Sequence, residues 1–250
     1  MPNRRFGATW PTRGRESTPA SHLFLMDRLL RNAILLAAVT AGLNAQDAAP
    51  VLARLDASAG SFQGAAAQIR RITHTAVLNE NSEETGSMMM LRPKMKEVKL
   101  LIEFVKPDRK LILFREKKAE IYYPAINTLQ IYDLGKQSSL VDQFLLLGFG
   151  TPGKELEKSY QVKYLGAETV EGQKTDHIEL TPKSAKVREH LKKAELWISQ
   201  SGYPLQQRYQ ENSGNHTTIT YSQLKINPAL SQAELALSLP KDVKREYPNR

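Results

Sequence analysis

The side chains that most often carry chemistry are sparse in this chain and show no catalytic or metal-binding spacing. Residues 46–250 hold four histidines at wide intervals, His74, His177, His190 and His216. No H-E-x-x-H pair, G-x-S-x-G turn, phosphate-binding loop or G-x-G-x-x-G motif is present. We therefore predict that the protein is not an enzyme and holds no metal and no cofactor, and that these histidines lie in strands or at the surface.

Cysteine is absent from the whole chain. This excludes a thiolate metal site, a cysteine nucleophile and any disulfide framework. It also removes the residue to which a bacterial lipoprotein attaches its own lipid. About 205 residues follow Ala45, enough for a single domain over 46–250 that is stabilised by its core alone.

The strongest targeting signal lies at residues 26–45. Arg28 and Arg31 precede a short apolar run, and Ala45 supplies a small residue at the expected cleavage point. The run is too short for a membrane anchor, the alternative interpretation, because a spanning helix needs about 20 apolar residues. We predict a signal peptide over 26–45 and a mature protein outside the cytoplasm. Residues 1–25, polar and rich in Arg and Pro, are interpreted as a disordered extension or a misassigned start.

The net charge of +9 is concentrated at the N-terminus. Six of the 35 basic residues and two of the 26 acidic residues lie in the first 45, which leaves 29 against 24, or +5, for the remainder. The remaining lysines are scattered and lack the interleaved aromatic residues on which nucleic-acid bases stack. We therefore predict no nucleic-acid partner.

After a short helix over 47–59, the chain shows the two-residue period of β-strands from Phe62 onward. The clearest strand alternates the apolar set Val98, Leu100, Ile102 and Phe104 with Glu97, Lys99, Leu101 and Glu103, so that one face is apolar. Similar segments recur about every ten residues, the spacing of an antiparallel sheet. Residues 139–148 and 184–193 are predicted to be helical. The pattern predicts an α+β fold.

Two segments are more apolar than a surface requires. Met88, Met89, Met90 and Leu91 form an uninterrupted run, so both faces of that strand should be apolar. The predicted helix over 139–148 is apolar around most of its circumference, including Phe144 and Leu147. These segments could pack together as ordinary core, or they could line a ligand site for which flexible methionines are well suited. The residues alone favour neither alternative.

The order of short motifs resembles the periplasmic outer-membrane lipoprotein carriers, the LolA-type proteins, across nearly the whole mature chain. The first matching pieces are the segment after Ser61-Phe62, Gly86 followed by Arg92-Pro93, and Tyr122-Tyr123-Pro124. Further pieces follow in the same order: Leu180-Thr181-Pro182, Trp197-Ile198 with Gly202-Tyr203-Pro204, Asn215-His216-Thr217 and Ile226-Asn227-Pro228.

The resemblance implies a strongly curved antiparallel sheet, a half-open β-barrel, with short helices capping an apolar cavity. Such carriers shelter the acyl chains of a lipoprotein received from an inner-membrane ABC exporter and pass it to an outer-membrane receptor. We expect an acylated lipoprotein or lipid as the ligand and a monomer as the working form. The alternative is a lipid-binding sensor of the same fold, since one relative is a periplasmic regulator of an anti-sigma factor.

The resemblance also assigns candidate ligand-binding residues. Arg92 matches the family's arginine before proline, tied to closing the lid and controlling release; otherwise it is an edge-strand cation. Met88 and Met90 are expected to contact acyl chains, and Phe144 and Leu147 to form the lid helix. We predict that Val98, Leu100, Ile102 and Phe104 face the concave side.

Overall fold

The structure, a computed structural model, describes residues 47–94, 97–135 and 146–248. The extension over 1–25, the signal peptide over 26–45 and most of the helix expected over 139–148 lie outside these residues.

The described residues form twelve β-strands and three α-helices. The first six strands are β1 (Gly64–Thr75), β2 (Glu80–Lys94), β3 (Glu97–Lys106), β4 (Lys110–Arg115), β5 (Lys118–Tyr123) and β6 (Thr128–Asp133). The others are β7 (Tyr160–Val170), β8 (Gln173–Pro182), β9 (Lys193–Ser199), β10 (Pro204–Gln210), β11 (His216–Ile226) and β12 (Lys244–Glu246). The helices are α1 (Ala49–Ala59), α2 (Gly153–Ser159) and α3 (Ala185–Arg188), and a 3-10 turn spans Pro124–Ile126.

All twelve strands belong to one sheet, in the order β12-β6-β5-β4-β3-β2-β1-β11-β10-β9-β8-β7. Neighbours run antiparallel, except that β12 lies parallel to β6 through three residue pairs. β7 and β12 form the two ends of the order, so the curved sheet does not close into a barrel. The prediction of an α+β fold built on a curved antiparallel sheet is confirmed.

The middle of the sheet is apolar on both faces. Leu100 and Phe104 of β3 are buried on one face, together with Met88 and Met90 of β2. Leu101 is buried on the other face, so the expectation that β3 has a single apolar face is wrong. The methionine run is two-sided, as its sequence indicates, because Met89 packs with Leu101.

The C-terminal segment explains the second apolar face. After β11 the chain crosses the outer face of the sheet, where Leu235 is completely buried with Leu101 and Leu113. Val243 packs further along with Leu111. β12 then adds to the edge of β6. We call this segment, residues 228–246, the C-terminal strap.

The three helices lie near β7, β8 and β9, at one end of the strand order. Asp47 accepts a hydrogen bond from the Ala49 N–H over 3.0 Å, and α1 buries Val51, Leu52 and Leu55, as its sequence predicts. The helix expected over 184–193 is a single turn, α3, followed by the buried Leu191. Helix α2 was not predicted.

Within the described residues, no helix combines the length and apolar character that crossing a bilayer requires.

Candidate functional site

A cavity of about 280 Å³ lies on the concave face of the sheet. Its apolar wall is built by side chains from β1, β2, β3 and β11, which are Ile69, Met88, Met90, Leu100, Ile102, Phe104, Ile219 and Tyr221. The rest is lined by Leu191 and by polar side chains from β1, β10, β11, the turn after β10 and the segment after α3, namely Arg71, Gln207, Tyr209, Thr217, Glu211 and His190. Its volume lies near the lower end of the range, ~300–1,000 Å³, found for small-molecule pockets. This volume and lining suit a small apolar ligand with a polar end.

The register of the sheet explains why these side chains meet. Met88 pairs with Ile102, and Met90 pairs with Leu100, so all four lie on one face in adjacent rows. Phe104 pairs with Gly86, where a Cβ atom would come within 1.9 Å of the Glu103 carbonyl oxygen. Only glycine fits at position 86, because β3 approaches β2 closely opposite Phe104.

Five of the predicted ligand-binding residues line the cavity: Met88, Met90, Leu100, Ile102 and Phe104. Val98 packs against the same apolar cluster without lining the cavity. Leu147 does not reach the cavity either, because it is completely buried in a neighbouring cluster against Leu52 and Leu55 of α1. Phe144 lies outside the described residues.

Arg92, also predicted to bind the ligand, does not line the cavity; it lies beside Phe62 of the apolar cluster that forms the cavity wall. Its Nη1 donates to the Gly150 carbonyl over 2.8 Å, and its Nη2 donates to the Ala59 carbonyl over 3.1 Å. The guanidinium also lies 5.5 Å from the centroid of the Phe62 ring. Gly150 has a φ of +66°, and a Cβ there would lie 2.6 Å from the Phe62 ring. Arg92 therefore connects β2 to α1 and to the loop at residues 146–151.

That loop is fixed to the concave face by two further contacts. The Phe149 ring meets the Tyr221 ring edge-on, with centroids 5.2 Å apart and planes at 90°. Gln207 is buried; its amide donates to the Leu147 carbonyl, and it accepts from the Tyr221 hydroxyl over 2.6 Å. Both ends of the Gln207 side chain are therefore used in joining the loop to β11.

Charged groups lie at the opposite end of the cavity. Arg71 lines it and pairs across β1 and β2 with Glu84, donating from Nε over 2.8 Å, and Lys110 of β4 pairs with the same carboxylate. The Arg71 and Lys110 cations lie 4.4 Å and 5.3 Å from the centroid of the Phe104 ring. Burial alone would raise the pKa of Glu84, but the hydrogen bonds from Lys110 and Arg71 hold it below its ordinary value.

Sequence reasoning missed the contribution of β10 and β11 to this cavity. The available signal was the alternation of Thr217, Ile219 and Tyr221, which place every second side chain of β11 inward. Burial raises the pKa values of Tyr209 and Tyr221 well above the ordinary phenol value. The Tyr221 hydroxyl therefore keeps its proton at neutral pH and serves as a hydrogen-bond donor.

The four histidines do not form a common site. His74 stacks on His216 at 4.7 Å, and His190 is at the cavity rim. His177 stacks on Trp197 at 4.0 Å and contacts Glu168 over 2.8 Å. Within the described ranges no group of three His, Cys, Asp or Glu side chains has the arrangement of a metal site.

Comparison with protein families identifies the chain. The family described as outer membrane lipoprotein carrier protein LolA matches residues 61–236. The chain belongs to this LolA family. The match includes β1 to β11, and therefore all the strands that line the cavity, whereas α1 and β12 lie outside it. A comparison with curated proteins finds no match.

Several solved structures are similar to this chain at low sequence identity. An uncharacterized conserved protein of Thermus thermophilus is 16% identical with a TM-score of 0.49, and the alignment covers 81% of this chain and 99% of that chain. The Mycobacterium tuberculosis lipoprotein LppX is 15% identical with a TM-score of 0.44, over 74% and 99%.

MucB is 16% identical with a TM-score of 0.48, over 78% of this chain and 64% of that chain. MucB in the Pseudomonas aeruginosa MucA/MucB complex is 17% identical with a TM-score of 0.45, over 77% and 61%. The chain therefore spans less than two thirds of these MucB chains. At such identities the likeness concerns the fold alone.

Proposed function

We propose that this LolA-family protein is a periplasmic carrier that shelters the acyl chains of lipoproteins in its cavity and moves them from the inner to the outer membrane. The observation that carries the proposal is the cavity on the concave face, with its methionine, leucine, isoleucine and phenylalanine wall. Membership of the LolA family supports the coarser role, binding of a lipid or a lipoprotein outside the cytoplasm.

The energetics of an exposed acyl chain explain why such a cavity is needed. A sixteen-carbon chain in water costs roughly 12 kcal/mol at about 0.8 kcal/mol per methylene group. Met88 and Met90 provide polarisable, flexible contacts that adapt to the chain without directional bonds. Affinity of this kind holds an acyl chain during transit and still permits transfer to a second apolar site.

Release requires part of the wall to move. The loop at residues 146–151 is a candidate because Leu146 and Phe149 pack in the apolar cluster that forms the wall. Two side-chain hydrogen bonds described above hold it, those of Arg92 with Gly150 and of Gln207 with Leu147. Breaking the Arg92 contacts would free the loop from both α1 and β2. We assign Arg92 the role of holding this loop closed over the ligand.

The partners follow from the same role. A carrier needs a donor and an acceptor, and we propose an inner-membrane ABC exporter and an outer-membrane receptor in these positions, with the carrier acting as a monomer. A lipid-binding sensor of the same fold is the alternative function, and the experiment below distinguishes it from a carrier.

The test is to express the full chain in a Gram-negative host, purify the protein from the periplasm and identify bound material by mass spectrometry. A carrier is expected to retain an acylated lipoprotein or its acyl chains, and to deliver them to outer-membrane vesicles. Bound lipid together with a stable membrane-protein partner and no delivery would indicate the sensor. Purified protein with no acyl material, and no uptake of a fluorescent fatty acid, would contradict both.

A further inference from the structure

The cavity has a charged end that a purely apolar ligand does not need. Arg71, Glu84 and Lys110 have side-chain exposures of 25%, 16% and 23%, so all three charges are largely withdrawn from water. Withdrawing charges is costly unless they are paired, and replacing such groups by apolar residues is often neutral or stabilising. The stability of the sheet therefore gives no reason for this cluster to lie beside the apolar wall.

The cluster has an excess of positive charge. Two cations share one carboxylate, and both lie beside the Phe104 ring that forms the cavity wall. The nearby carboxylate of Glu211 accepts hydrogen bonds from Ser213 and Asn215 within its own turn. Arg71 itself lines the cavity, which places one guanidinium at the end of an apolar wall.

We propose that Arg71, supported by Lys110, binds an anionic head group, a carboxylate or a phosphate, on a ligand whose acyl chain occupies the cavity. This inference rests on the acyl binding of the proposed function, because the acyl chain must occupy the cavity for its polar end to reach Arg71. Its ligand is a free anionic lipid, since the ester- and amide-linked acyl chains of a lipoprotein carry no carboxylate or phosphate. A planar guanidinium binds carboxylate and phosphate oxygens with two parallel hydrogen bonds. The incoming anion joins Glu84 as a second acceptor for the two cations.

The neighbouring residue Arg70 supplies a matched control. Arg70 and Glu83 pair across the same two strands, with hydrogen bonds of 2.9 Å and 2.8 Å, and their side chains are 53% and 49% exposed. They lie on the opposite face of the sheet, because successive residues of a strand alternate. Arg70→Gln therefore removes a guanidinium from the outer face of the sheet, and Arg71→Gln removes one from the cavity.

The first measurement uses the unaltered protein. Palmitate, hexadecyl phosphate and hexadecan-1-ol have the same chain length and compete with a bound fluorescent fatty acid, whereas acetate and inorganic phosphate carry the charge without the chain. We expect the two anionic lipids to bind roughly ten- to a hundredfold more tightly than the alcohol, as expected for a hydrogen bond to a charged group. Acetate and phosphate should not compete at millimolar concentration.

The second measurement uses the variants. Arg71→Gln should abolish the preference, so that palmitate, hexadecyl phosphate and hexadecan-1-ol bind with similar affinity, whereas Arg70→Gln should leave the preference intact. Glu84 keeps Lys110 as a partner in Arg71→Gln, so no carboxylate is left unpaired. If Arg71→Gln does not fold, Lys110→Gln tests the same preference and should reduce it.

Equal binding of palmitate and the alcohol by the unaltered protein, or a preference that survives Arg71→Gln, would overturn the inference while leaving acyl binding in place. Binding of none of the three lipids would instead contradict the proposed function. Competition by acetate or phosphate at the same concentrations would assign the cluster to free anions and would also overturn the inference.

Discussion

The guanidinium of Arg92 donates to the carbonyl oxygen of Gly150 over 2.8 Å, which joins β2 to a loop 58 residues later in the chain. The same side chain reaches the Ala59 carbonyl at the end of α1. One residue thereby holds three separate segments together beside Phe62. In the gating role proposed above, these contacts must break before the cavity opens.

Replacing Arg92 with methionine removes both hydrogen bonds while retaining an unbranched side chain. We expect faster hydrogen exchange at the amides of residues 146–151 and faster release of a bound fatty acid. The rate of release should rise roughly ten- to a hundredfold, the equivalent of one or two hydrogen bonds to a charged group. Arg109→Met is the control, because Arg109 is exposed and pairs only with Glu103 in the contacts described. Unchanged exchange and release in Arg92→Met would exclude a gating role.

An aspartate in the cavity wall should abolish uptake of a fluorescent fatty acid. Leu100→Asp places a carboxylate against the acyl chain, where the charge would lack a partner and water. Phe104→Asp removes a ring from the wall and places a carboxylate beside Arg71 and Lys110. Ile102→Asp repeats the test at a half-buried position that tolerates the change better. Val105→Asp alters the next residue of the same strand, which is 52% exposed, and should bind normally. Full uptake by folded Ile102→Asp would show that the ligand lies elsewhere.

The C-terminal strap should contribute strongly to stability. Leu235 is completely buried between Leu101 and Leu113, so Leu235→Ala should lower the free energy of unfolding by about 2–5 kcal/mol. Ile126 is 68% exposed, and Ile126→Ala should change stability by less than about 0.5 kcal/mol. Urea unfolding followed by circular dichroism measures both. A loss below about 1 kcal/mol for Leu235→Ala would mean that the strap is dispensable to the fold.

Acid should weaken the protein through Glu195 on the outer face. His177 at 3.6 Å, together with Lys193 at 2.6 Å and Arg208 at 3.5 Å, lowers the pKa of this carboxyl from 4.5 to about 2. A folded-state pKa below the unfolded value stabilises the protein above pH 4.5, and this contribution is lost as the pH falls toward 2.

Glu195→Gln should remove this part of the pH dependence. The stability difference between the unaltered protein and the variant is expected to shrink by at most about 3 kcal/mol between pH 5 and pH 2, from the shift in pKa. Chemical unfolding at a series of pH values measures it. Glu83→Gln, which alters an exposed ion pair, should follow the unaltered protein closely. Parallel pH profiles for the unaltered protein and Glu195→Gln would refute the assignment.

The sequence predicted those parts of the fold that have a regular period. The alternation through Leu100, Ile102 and Phe104 placed these residues on one face, and Met88 and Met90 were expected to contact the ligand. α1 was also predicted, because Val51, Leu52 and Leu55 follow helical spacing after a capping aspartate.

Features that depend on distant parts of the chain could not be predicted in this way. Leu235, Leu237 and Leu239 of the strap alternate as in a strand, yet this segment forms no strand, and Leu235 is buried only because the chain crosses Leu101 and Leu113. Arg71 follows another arginine and looks like a surface cation until the register with Glu84 is known. Leu147 was expected at the ligand, but packing against α1, about 90 residues earlier, removes it from the cavity.

Because the sheet ends at β7 and β12, a ligand can enter or leave without breaking hydrogen bonds between strands. In a closed barrel, strand number and shear fix the diameter, so admitting a bulkier ligand requires backbone hydrogen bonds between strands to break. In this sheet the edge strands β7 and β12 are not paired with each other. Widening therefore requires only that the two edges move apart, which costs side-chain packing but no hydrogen bond between strands.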